Sequence, residues 1–264
     1  VKTLILWMFP CLFSLVGSQV LAGPRIALDA AHGGDDPGVK AGSGTEKDWN
    51  LDFAQDLSKA LDRAGFTPLL VRKRDETLPQ EKRDEMINTL QPSVVLVLHA
   101  EREWSGTQRG PLLVVQPPNR PDGGGGDVPR WGFVSPSEFR SSLKLARSLA
   151  QGLGVGPELS SLSDSRGSVG EKVAEDGRIL CLPHASLRNL TPPSVVLIPI
   201  FLTSDADRKA LSGDERTAFI DRIVQGLKDH FQMDVPVTPT PGVGGVDPTP
   251  VTQGQPTPEP TAVE

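Results

Sequence analysis

Three residues in this chain have the types and the placement to hold a metal ion: His32, Glu46 and His99. Two imidazoles and one carboxylate match a hydrolytic zinc site, which takes three protein ligands and leaves the fourth position to water. An ion held so lowers the pKa of its water to about 7 and polarises a carbonyl under attack. His32 follows the apolar run Arg25 to Leu28, so it is expected just beyond the carboxyl end of a first strand. His99 ends a second run, Val94-Val95-Leu96-Val97-Leu98. Ligands of open α/β sheets gather at strand carboxyl ends, and both histidines are expected there. Glu46 is expected on the loop leaving the first strand, ahead of a helix that begins near Trp49. Gly33 and Gly34 let the backbone turn sharply behind His32. Taken singly, each residue has an ordinary explanation: a surface or packing histidine, or a carboxylate at the positive end of a helix. His184 and His230 are read in that ordinary way, and only the trio together indicates a metal site.

The elements that must position these groups alternate along the chain. Strand-like apolar runs cover 25–29, 66–71, 93–98, 111–115 and 194–202, and helical patterns cover 49–64, 80–90, 137–153 and 214–231. In the first helix Leu51, Ala54, Leu57, Ser58 and Leu61 fall on one face of a 3.6-residue period, and Gly65 follows as a stop signal. Alternation of this kind predicts a single three-layer α/β domain with a mostly parallel central sheet flanked by helices, and the zinc site at the strand carboxyl ends. Two stretches break the pattern. Residues 117–136 are rich in proline and glycine, and 154–177 are polar and serine-rich; both are expected to be long loops.

Both ends of the chain differ from this core. Residues 1–22 read as a secretory signal peptide: Lys2, an apolar stretch from Leu4 to Val16, then small residues before Gly23. The competing membrane-helix reading suffers because the apolar core is shorter than the ~20 residues needed to span, and Pro10 interrupts it. The expectation is therefore an exported protein, periplasmic or extracellular, with no stable membrane span after cleavage. Residues 23–234 form the expected domain, and 235–264 a disordered Pro/Thr-rich tail, read equally as a spacer or a dispensable end. With 27 basic against 33 acidic residues and a net charge of −6, the chain lacks the excess of basic residues that nucleic-acid binding requires. Cys11 lies in the leader, which leaves Cys181 without an intramolecular disulfide partner, and Cys181 reads as a buried small hydrophobe. There is no Gly-x-Ser-x-Gly nucleophile elbow and no phosphate loop.

Asp29-Ala-Ala-His32-Gly-Gly-Asp-Asp-Pro-Gly38, Gly44-Thr-Glu46-Lys-Asp-Trp-Asn50-Leu51 and Val97-Leu-His99-Ala100 together resemble the zinc-dependent N-acetylmuramoyl-L-alanine amidases of bacterial cell walls. The resemblance runs on through Pro193 to Leu197 and Phe201 to Ser204, and so covers residues 25–232. It implies that His32, Glu46 and His99 hold Zn2+. It also implies that the substrate is peptidoglycan, cut at the amide between the muramic acid lactyl group and the first L-alanine.

The chain departs from the family at one place that matters. The family's general acid/base glutamate stands in a pattern of the type Pro-x-Val-Leu-x-Glu-x-Gly-Phe, and the aligned stretch here is Pro193-Ser-Val-Val-Leu-Ile198-Pro-Ile200-Phe201. Ile198 takes the place of the glutamate and Ile200 that of the glycine. Asp205 lies seven residues on, roughly 23 Å along an extended strand, too far to substitute. Glu101, two residues after His99 and about 6.6 Å away on the same face of a continuing strand, is the candidate substitute, with Glu103 the weaker one. The family has asparagine where Glu101 stands. Two functional readings follow: an amidase with a relocated acid/base, or a pseudo-enzyme that binds peptidoglycan or a cell-wall protein partner without cutting.

Overall fold

The computed structural model describes residues 23–42, 44–103, 109–118, 134–160 and 173–233. The expected leader 1–22, the tail 235–264 and most of the stretch 117–136 lie outside these residues. The strands are β1 (Arg25–Ala30), β2 (Lys40–Ala41), β3 (Gly44–Thr45), β4 (Thr67–Leu70), β5 (Val94–Leu98), β6 (Leu112–Val115), β7 (Gly156–Ser160), β8 (Val173–Ala174), β9 (Gly177–Cys181) and β10 (Ser194–Ile198). The helices are α1 (Glu46–Arg63), α2 (Gln80–Leu90), α3 (Pro136–Leu153), α4 (Asp205–Ala210) and α5 (Asp214–Phe231).

Eight strands form one sheet in the order β4-β1-β5-β10-β6-β9-β7-β8. The first four run parallel, β6 lies antiparallel to β10, and β6, β9, β7 and β8 are again mutually parallel. The sheet is mostly parallel, as the alternation of elements required. All five residues of β5 and all five of β10 are buried, which is why β5 and, after Ser194, β10 read as Val/Leu/Ile runs: strands covered on both faces have no solvent side. Removing each such side chain from water contributes about 1.5–3 kcal/mol.

The two sheet faces carry separate cores. Val94, Leu96, Leu98, Val195 and Leu197 pack with Phe53 of α1, Leu143 of α3 and Phe219 of α5. Val95, Val97, Val196 and Ile198 point the other way, toward Ile87 of α2 and Leu187 of a short 3-10 turn, Ala185–Leu187. Three layers result.

Three expectations need correction. The first helix begins at Glu46, not near Trp49, so Glu46 is helical; its buried face centres on Phe53, Ala54, Leu57, Ala60 and Leu61 rather than including Leu51 and Ser58. The tenth strand ends at Ile198, not at 202, because Pro199 has no N–H with which to extend the ladder. The segment 154–177 is not one long loop: β7 and β8 lie within it and β9 starts at its end; β7 and β8 had no apolar run to mark them, and the short run Ile179-Leu180-Cys181 of β9 was passed over.

Candidate metal centre

β1 and β5 are neighbours in parallel register, with Ala30 opposite Leu98, so the residues just past their ends arrive side by side. His32 and His99 occupy those places, their rings 5.3 Å apart at 88°. Glu46, the first residue of α1, enters between them. Its Oε2 lies 3.2 Å from His32 Nε2 and its Oε1 lies 2.9 Å from His99 Nδ1. Backbone N–H groups of Val39 and Ala100 donate to the same carboxylate at 3.0 and 3.1 Å. One potential ligand atom from each of the three residues lies within 4.8 Å of the others. The structure thus brings together all three residues expected from sequence.

A divalent cation suits this arrangement for several reasons. Glu46 is only 1% exposed and is set at the positive end of its helix, where a carboxylate is favoured. Burial opposes its charge, but hydrogen bonds from His32 and His99 outweigh that and hold its carboxyl well below the usual carboxylate range. Among the described residues His99 Nε2 is buried without a hydrogen-bond partner. Gly38, at φ 60°, borders the cluster so closely that a Cβ there would lie 2.6 Å from Glu46 Oε2 and 2.7 Å from His32 Cδ2, so no larger residue fits. Two nitrogens and one carboxylate are the donor set of a catalytic zinc site with its fourth position open.

The surrounding side chains hold these ligands in place. His32 adopts a left-handed backbone, φ 64°, which is uncommon for a residue with a Cβ and is sustained only where neighbours enforce it. Arg83 of α2 donates to the His32 and Ala30 carbonyls and forms a buried ion pair with Asp29 at the end of β1. Arg72, 1% exposed, donates to the carbonyls of Ala30 at 2.7 Å, Ala31 at 3.2 Å and Lys47 at 2.6 Å, tying the β1 end to the start of α1. Asn50 Nδ2 adds a bond to Ala31 O at 3.3 Å. Asp36 Oδ2 accepts from His32 Nδ1 at 2.7 Å, which fixes the ring so that Nε2 faces Glu46. Burial disfavours a charged His32, yet Glu46 first and Asp36 second outweigh it and push its pKa up to about 9. Asp36, bonded to His32, is held below its ordinary range.

The other candidates divide. Glu101 pairs with Phe201 in a parallel bridge, and its Oε1 comes within 3.7 Å of His99 Nδ1 with the side chain 28% exposed. Glu103 is bound to Arg109 at 2.7 Å. Ile198 continues the register Leu98–Leu197 and so stands beside His99, 2% exposed and packed in the apolar core of the α2 face. Sequence reasoning passed over His184, which is not an ordinary surface residue: its ring packs against His99 at 5.2 Å and 73°. Burial, and secondarily the charge of His99, pull its pKa down to about 4. His230 lies far along the last helix against Phe231, an ordinary packing position. Arg72 and Arg83 were missed too, since a lone arginine in sequence carries no sign that its partners are carbonyls.

A family model for N-acetylmuramoyl-L-alanine amidases matches residues 26–229. The amidase AmiC of Neisseria meningitidis is 25% identical over 239 residues, covering 80% of this chain and 54% of that protein. The chain spans between 21% and 54% of the length of such curated relatives. The amidase Ami1 of Mycobacterium smegmatis superposes with a TM-score of 0.60 at 18% identity, covering 80% of this chain and 98% of that one. The catalytic domain of CwlV from Bacillus (Paenibacillus) polymyxa superposes with a TM-score of 0.55 at 17% identity, covering 79% and 98%. At these identities the superpositions speak for a shared fold, and it is the family match across most of the domain that decides membership: the chain belongs to the N-acetylmuramoyl-L-alanine amidase family.

Proposed function

We propose that this protein is a zinc-dependent amidase of the cell envelope that hydrolyses the amide between muramic acid and L-alanine in peptidoglycan. The observation that carries the proposal is the buried Glu46 carboxylate set between His32 and His99 at the ends of β1 and β5, in a chain of this family. Zinc held by these three residues would supply a water acidic enough to ionise near neutral pH and a positive charge against the scissile carbonyl. Glu101 is assigned the general acid/base role. Its carboxylate is beside His99 and partly open to solvent, so it can take a proton from the attacking water and deliver it to the departing amide nitrogen. Asp36 keeps His32 oriented, and Arg72 and Arg83 hold the β1 end rigid. Export, with residues 1–22 as leader, agrees with a wall substrate, and no described helix is long and apolar enough to cross a membrane.

A second reading has its own observation: Ile198, not a carboxylate, stands in register with His99 on β10. On that reading the chain binds peptidoglycan, or a wall protein, without cutting it.

The deciding experiment incubates the zinc-loaded protein with purified peptidoglycan and analyses the soluble products by mass spectrometry. Peptides with a free L-alanine amino terminus establish the amidase; none, from folded zinc-loaded protein, leaves the binding reading. Metal content of the His32→Ala, Glu46→Ala and His99→Ala variants tests the ligands separately, and full zinc retention in all three overturns the metal assignment.

A further inference from the structure

A cleft beside the metal centre is lined by His32 and His99 and, among other residues, by Thr77, Gln80, Arg83 and Ser186. Several of its polar groups are spent inside the protein. Thr77 Oγ1 accepts the Asp35 N–H at 3.1 Å and donates to the Asp35 carboxylate at 3.2 Å. Gln80 Nε2 donates to Asp84 at 2.8 Å. Arg83 donates to Asp29 and to the carbonyls of Leu78, Ala30 and His32. Ser186 keeps its hydroxyl unspent. Its backbone N–H donates to His184 Nδ1 at 3.3 Å, but its Oγ has no hydrogen-bond partner among the described residues and is not sealed from solvent. The residue is only 8% exposed, and the opening that it lines is this cleft.

The chain just beyond Ser186 is fixed to α2. Asp84, itself buried, accepts from Gln80 with one oxygen and from Asn189 Nδ2 at 2.8 Å with the other. One helical turn on, Asn88 Nδ2 donates to the Asn189 carbonyl at 2.8 Å and Asn88 Oδ1 accepts the Thr191 N–H at 3.1 Å. The hydroxyl is thus held in place before a ligand arrives, so little is lost in ordering it on binding. A hydroxyl nine-tenths buried without a partner is unfavourable, and alanine would fill the same space without that cost. We propose that Ser186 is a substrate-binding residue, its Oγ hydrogen-bonding an amide group of the muramoyl peptide that occupies the cleft beside His32 and His99. A hydroxyl suits either half of an amide, since it can donate to the carbonyl oxygen or accept from the N–H. This inference rests on the proposed substrate class.

The test measures binding of a soluble N-acetylmuramoyl dipeptide by calorimetry to the zinc-loaded full chain, in a Glu101→Gln background so that the ligand is not consumed. Ser186→Ala removes the hydroxyl and leaves the backbone bond to His184. The expected result is a dissociation constant raised about threefold to tenfold, the loss of one neutral hydrogen bond. Zinc content is expected to stay constant and the melting temperature of the unliganded protein not to fall, because the hydroxyl has no partner there. Equal affinity in Ser186→Ala and the parent overturns the inference and leaves the substrate class standing. Weaker binding accompanied by a lower melting temperature or by lost zinc also overturns it, since that assigns Ser186 to holding the turn or the ligands. A zinc-loaded parent that does not bind the dipeptide brings down the proposed substrate class and this inference with it.

Discussion

The ends of β1 and β5 and the end of the neighbouring β10 are built in opposite ways. At β1 and β5 the polar groups past the strand ends are committed: His32 to Asp36 and Glu46, His99 to Glu46, and the backbone carbonyls of Ala30, Ala31 and His32 to two arginines. At β10 the corresponding positions are Ile198, Pro199 and Ile200, and both isoleucines are buried. A buried polar network survives only when its members are satisfied, because one orphaned group costs more than an apolar replacement. In the ligand half most polar groups are paired; among the described residues His99 Nε2 and Asn50 Oδ1 are the buried exceptions. The β10 half is packed rather than polar, and on the proposed reading the acid/base chemistry comes from Glu101, just past the end of β5.

The largest effect that bears on this contrast is expected from Glu101. If Glu101 has taken over the acid/base role, Glu101→Gln lowers peptide release by about 10²- to 10⁴-fold while zinc content stays constant. Unchanged release would move the chemistry elsewhere and break the contrast drawn here. Next in size is the support beneath the ligand half. Arg83→Met strands the buried Asp29 carboxylate, and denaturant unfolding should show a loss of about 3–5 kcal/mol. A loss under 1 kcal/mol would mean that the pair is dispensable. On the β10 side, Ile198→Glu restores a carboxylate beside His99 and is expected to raise release about tenfold, with a lowered melting temperature because a charge replaces a buried aliphatic side chain. A fall in release instead would show that the end of β10 no longer admits the chemistry.

The smallest effect is electrostatic. In zinc-free protein the His32 pKa is raised from 6.5 to about 9, so its contribution to stability is complete below the unfolded value of 6.5 and is lost as pH rises through about 9. Unfolding free energies measured between about pH 6 and about pH 10 should fall across that window in the parent and fall less in Asp36→Asn, which removes one of the two carboxylates that raise it. A flat profile in the parent would remove the ion pairs from the account.

How much of this was legible in the sequence follows from which signals are local. β1, β5 and β10 are covered on both faces and are built mainly from apolar runs, so these strands and the parallel sheet could be read directly. His32 and His99 were legible because each follows such a run. Glu46 and the missing carboxylate at Ile198 were legible instead from the resemblance to the amidase family, whose motifs place them. β7 and β8, at the sheet edge, could not be read because they carry no apolar run, and β9, with only Ile179-Leu180-Cys181, was missed.

What the tertiary structure alone decided is how groups far apart in the chain meet. Helix α1 starts at Glu46, which turns that carboxylate between two rings, and Glu101 reaches His99 because Phe201 pairs alongside it. Asp29 and Arg83 are 54 residues apart, and nothing in either neighbourhood foretells a buried ion pair. His184 touches His99 only because the chain after β9 folds back over the end of the sheet. Periodicity and strand-end position are properties of a few consecutive residues, so the sequence by itself determined the layers and the places of His32 and His99 at the strand ends. The partners of a buried charge, or of a ring nitrogen, are set by packing across the whole domain, and those only the folded structure decided.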